Sequence, residues 1–169
     1  MKIFQLAVIT TSIALTACGN SNPSLSDARK QIEAEFYGAI GNCSQIKLDD
    51  FEKINGMPNG ERHYTLQIKY SMKVIPPSKN AKIADEYIDS RKNGTAQQAE
   101  GAVISQLIQN FDPACAAPLN RILQRNDIMH NEKEFPHGIL DYYSRGFIKV
   151  SQENIPMVLT ENGWIVIKK

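Results

Sequence analysis

The sequence has almost no charge imbalance: 19 Lys and Arg stand against 18 Asp and Glu in 169 residues, a formal net charge of +1. That balance leaves no electrostatic footprint for nucleic acid and none for adhesion to anionic lipid by bulk charge. No apolar run reaches the roughly 20 residues that a membrane-spanning helix needs. Motifs of catalysis are missing: there is no Gly-x-Ser-x-Gly elbow, no His-Glu-x-x-His and no Gly-x-x-x-x-Gly-Lys phosphate loop. No Cys-x-x-Cys is present, which removes the usual signature of a catalytic dithiol. Nothing calls for a cofactor. Internal repeats and long linkers are absent as well. What remains, 42% hydrophobic and 22% charged residues, is an ordinary globular profile for one domain.

The informative part is the N-terminus. Lys2 supplies a charged start, and Ile3 to Leu15 is uncharged and mostly apolar. Its length suits a signal-peptide core rather than a membrane span. It ends in Leu15-Thr16-Ala17-Cys18, which resembles the lipobox of bacterial lipoproteins. That resemblance implies cleavage after Ala17, diacylglycerol on the Cys18 sulfur and, in most cases, acylation of its amino group. Two or three acyl chains anchor stably, whereas one is marginal. The next residue is Gly19 and not Asp, which by the same resemblance implies the outer membrane, facing the periplasm, in a Gram-negative host. Residues 1–17 are thus expected to be a cleaved leader, 18–25 a lipidated polar tether and 26–169 a single domain. Removing Lys2 with the leader balances the two signs, so the lipid must do the anchoring.

Cys43 and Cys115 remain. In an oxidising compartment the default is one disulfide between them, with two buried free thiols as the alternative. The bridge would close a long loop, for which the chain-entropy model gives about 4 kcal/mol.

Periodicity predicts a helix over Ser26–Ile40, with Ser26 as cap and Ala28, Ile32, Phe36, Ala39 and Ile40 as its stripe. A strand is expected over Gln45–Ile54, with a bulge near Asp49-Asp50, then a turn over Asn55–Gly60. Arg62–Ile75 alternates without a break. Tyr64, Leu66, Ile68, Tyr70, Met72 and Val74 fall on one face and polar residues on the other, the mark of an antiparallel sheet covered on one side. Ser78–Gly94, polar and charged, reads as a short helix or a mobile insertion. Thr95–Asn110 reads as a helix opened by a Thr95/Gln98 capping box, and Leu119–Arg125 as another short one. His130–Gly138 reads as a charged loop. Three strands follow, Ile139–Ser151, Ile155–Thr160 and Trp164–Lys168, the last two joined at Asn162-Gly163.

This order predicts an α+β fold, a curved antiparallel sheet of about five strands packed on helices. The pattern, with its closing hairpin over Leu159–Val166, resembles the NTF2-like and cystatin-like rolls of small secreted bacterial lipoproteins.

Three groups of residues are candidate sites. His130, Glu132, Glu134 and His137 have ligand chemistry for a metal, but a solvated loop is the expected reading and no metal is assigned. Asp49, Asp50 and Glu52 could form an acid–base pair, but a charged strand edge is expected. Tyr64, Tyr70, Met72, Tyr142, Phe147 and Trp164 either fill the core or line the mouth of a roll around a small apolar ligand. The leading expectation is a lipid-anchored binding or interaction module of the cell envelope, without catalysis, whose partner is an envelope protein or a small apolar ligand. The alternative is an inhibitor or immunity-type lipoprotein that neutralises an enzyme or toxin, for which Ser78–Gly94 would be the protruding element.

Overall fold

The computed structural model describes residues 22–125, 133 and 135–167. Cys18 and the rest of the leader lie outside them, as do His130, Glu132 and Glu134.

The chain enters the fold at Pro23, whose side chain is fully buried. Helix α1 spans Leu25–Ile40. Its cap is Ser24, two residues earlier than expected. Ser24 Oγ accepts from the Asp27 amide at 3.2 Å, and the Asp27 carboxylate accepts from the Ser24 amide at 2.8 Å. This reciprocal box satisfies donors that Ser26 cannot reach. Gly41, at φ +65°, ends the helix by donating to the Tyr37 carbonyl.

Strand β1 covers Ile46–Pro58 and pairs antiparallel with β2, His63–Val74. The expected bulge is present: the register shifts between Asp49 and Glu52, and Asp50 sits at φ +54°. Asn55-Gly56 is not the turn. It forms a second irregularity within β1, and the turn falls at Asn59–Arg62. Gly56 is needed there because the Tyr64 ring lies over it; a Cβ would come within 2.5 Å of that ring. On β2, Tyr64, Leu66, Ile68 and Val74 are buried and Tyr70 and Met72 half-buried, on the face the alternation assigns.

A helical layer follows. Helix α2 fills Ser78–Lys92, α3 Glu100–Gln109 and α4 Ala116–Arg125, the last led in by a 3-10 turn at Pro113–Cys115. The Thr95/Gln98 box does not form. The Thr95 amide and hydroxyl both donate to the Ser90 carbonyl, so Thr95 closes α2 instead of opening α3. Helix α5, Ile139–Arg145, replaces the start of an expected strand. Leu140 through Ser144 are all buried, so this turn carries neither a helical stripe nor an alternation that a sequence can display. Asp141 pins its start by accepting from the His137 amide at 2.8 Å, and Gly146 ends it at φ +85°.

Strand β3 then runs unbroken over Phe147–Thr160, and β4 covers Gly163–Val166 after the predicted hairpin. Two expected strands are thus one, because the polar stretch Gln152-Glu153-Asn154 is an exposed part of β3 and not a loop. Among the described residues the fold is α+β with a four-stranded antiparallel sheet in the order β1-β2-β3-β4, not five strands.

Two apolar clusters hold it. Ala28, Tyr64, Leu66, Ile68, Ile155 and Met157 join α1 to the sheet. The larger cluster joins the helical layer to the sheet's other end, around Ile46, Val74, Leu107, Leu119 and Tyr142. Tyr142 is fully buried and donates to the Leu119 carbonyl at 3.0 Å. Burial pushes its hydroxyl well above the usual tyrosine range, so it stays protonated as a donor. No described helix is long and apolar enough to cross a membrane.

Candidate functional site

Helices α1 and α4 approach one another over the sheet, and covalent chemistry brings them together. Cys43 follows the end of α1; Cys115 directly precedes α4. The two form a disulfide, with Cα atoms 4.7 Å apart and both side chains buried. The bridge clamps the end of one helix to the start of the other. Between the helices a groove of about 290 Å³ stays open, at the lower end of the size range for ligand sites. Phe36, Ala39 and Ile40 of α1 form one wall, and Pro118 and Ile122 of α4 the other. Leu48, Tyr70 and Met72 supply the floor. These are the residues that periodicity turns inward on a helix and on an alternating strand.

The rim is cationic. Arg121 and Arg125 stand one turn apart on α4, both exposed, with Lys149 and Ser151 of β3 nearby. Among the described residues no carboxylate pairs with either arginine. Other cations are engaged: Arg145 bridges Asp141 and Asp85, and Lys73 bridges Asp49 and Asp50. The Tyr70 hydroxyl donates to the Glu153 carboxylate at 2.5 Å. Burial and that bond push the phenol well above its ordinary range. The groove thus offers an apolar bed and two guanidinium groups suited to carboxylate or phosphate.

Of the six aromatic and Met residues singled out from sequence, only Tyr70 and Met72 reach the groove. Tyr64, Tyr142 and Phe147 are core, and Trp164 is half-buried with its ring edge-on to Tyr64. Arg121 and Arg125 do not stand out in the sequence. Their signal was there, two arginines four apart on a short amphipathic helix, but it is meaningful only once α1 is known to face them.

In the Asp49, Asp50 and Glu52 group, the two aspartates are tied up by a lysine. Lys73 lies 3.0 Å from Asp49 and 2.7 Å from Asp50, and holds both carboxyls below the usual range. Both are ionised near neutral pH at an exposed bulge. Of the candidate metal set, only His137 lies among the described residues, where its backbone caps α5. No group of three or more potential ligands converges among the described residues. Ser78–Gly94 is no protruding loop: Asn80, Ala84 and Tyr87 bury α2 against the core.

Comparison of the chain with protein-family models, with curated proteins and with solved structures finds no match.

Proposed function

We propose that this chain is a lipid-anchored binding module of the cell envelope, without catalysis of its own, whose groove holds an amphipathic anion. Leu15-Thr16-Ala17-Cys18 supports lipidation at Cys18, and Gly19 supports the outer membrane, facing the periplasm. The Cys43–Cys115 disulfide suits an oxidising compartment. A helix laid over a sequentially ordered antiparallel sheet supports the NTF2-like or cystatin-like roll.

The observation that carries the reading is the pairing of an apolar bed with Arg121 and Arg125 at its rim. An acyl or comparable apolar tail would lie between Phe36, Ile40, Met72 and Ile122, and its carboxylate or phosphate would meet the arginines. Burying each methylene is worth about 0.8 kcal/mol, and the charged contacts choose the head group.

The test is a titration with a fluorescent long-chain carboxylate, beside its alcohol of equal length. Arg121→Glu/Arg125→Glu is expected to weaken carboxylate binding by roughly ten-fold or more, from about 1 kcal/mol per reversed charge at a partly exposed site. Alcohol binding is expected to hold. Equal losses for both probes, or no binding of either, contradicts the proposal.

A further inference from the structure

Strand β3 spans Phe147–Thr160, but β4 pairs only with Met157–Thr160 of it. The polarity of β3 is fixed at its covered end. The Leu159 amide donates to Arg62 on the β2 side, and the Pro156 carbonyl accepts from Ile167 on the β4 side. Alternation carries that pattern along a register with β2 that has no shift. The backbone groups of Ile148, Val150, Gln152 and Asn154 therefore point away from β2. No described residue forms a backbone bond with them. Ile148 and Val150 are each 58% exposed.

The sheet's other edge is blunted. Strand β1 carries two register shifts, the acidic bulge at Asp49-Asp50 and a terminal Pro58, devices that discourage edge pairing. The β3 edge carries no bulge, and no proline before Pro156.

We propose that this edge pairs with the same edge of a second copy of the chain, antiparallel about a two-fold axis at Ser151. In that register Val150 exchanges backbone hydrogen bonds with Gln152 of the second copy, and Ile148 with its Asn154. Lys149 faces Glu153 of the second copy, and the symmetry makes this ion pair twice. Shifting the axis by one residue, to Val150 or Gln152, loses the ion pair, and shifting it by two sets Lys149 against Lys149 or Glu153 against Glu153. Charge complementarity thus selects both the occupant and the register.

The experiment is cysteine cross-linking of the full chain in its own membranes under mild oxidation, read on non-reducing gels. At the axis, two Ser151 residues form a non-hydrogen-bonded pair with Cα atoms about 4.5 Å apart, within disulfide range. Ser151→Cys is expected to convert most of the chain to dimer. Ile148→Cys is more exposed than Ser151→Cys but lies roughly 20 Å from its counterpart, so it is expected to stay at background. Val150→Pro or Gln152→Pro, each removing an amide that points away from β2, is expected to abolish the Ser151→Cys dimer while the circular dichroism spectrum stays native. No dimer with Ser151→Cys, equal dimer with Ile148→Cys, or a dimer that survives either folded proline variant overturns the proposal.

Discussion

Replacing Cys43 and Cys115 together with alanine is expected to lower the unfolding free energy by about 4 kcal/mol, on the chain-entropy model for a bridge of sequence separation 72. The bridge spans β1, β2, α2 and α3, so about half of the fold lies inside the loop it closes. Its loss frees that whole segment in the unfolded state. It also removes two buried sulfur atoms from the larger core cluster. The same bridge sets the distance between the groove walls, so affinity for a long-chain carboxylate should fall with stability. Urea unfolding of the double variant, and of the native chain with and without reductant, reads the first effect. A midpoint that does not move would show that the bridge neither closes the loop in solution nor holds α1 to α4.

The second large effect is expected at Asn80. Its side chain is fully buried, yet every polar atom of it is used. Nδ2 donates to the Leu107 carbonyl at 3.1 Å and to the Tyr143 carbonyl at 2.8 Å, and Oδ1 accepts from the Asn110 side-chain Nδ2 at 2.7 Å. One side chain thus ties α2 to α3 and to α5. Asn80→Leu keeps the branching and the number of heavy atoms but strips the Tyr143 carbonyl and the Asn110 Nδ2 of their partner. A stranded buried group costs about 1–3 kcal/mol, so a loss of about 3 kcal/mol is expected. Asn80→Asp is expected to be at least as damaging, since a carboxylate would face two carbonyls. Thermal unfolding is the measurement, with a drop of roughly 10 °C for Asn80→Leu. A change under about 2 °C would mean that the helical layer does not depend on this hub.

How far the sequence could be read follows from where each signal is stored. Strand β2 is legible because one face is covered and the other wet, which writes strict alternation into Arg62–Ile75. The Cys43–Cys115 pairing is legible because, with Cys18 expected to carry lipid, counting leaves a single partner for each. Helix α5 is not legible, because Leu140 to Ser144 are buried on every side and burial without a wet face has no period. Gln152 to Asn154 read as a break because an exposed stretch of strand looks like a loop. The groove was half legible. Its inward residues Phe36, Ile40, Tyr70 and Met72 follow from periodicity, but Arg121 and Arg125 become a site only through the contact of α4 with elements far away in sequence.

We propose a lipid-anchored chain that holds an amphipathic anion between α1 and α4. Native mass spectrometry of the full chain, extracted in detergent from its own envelope, tests it most directly. The expected result is a chain beginning at acylated Cys18 and carrying one bound amphiphile with a carboxylate or phosphate, which Arg121→Glu/Arg125→Glu loses. A chain without acyl groups on Cys18, or one whose groove comes away with no small molecule bound, would contradict the account.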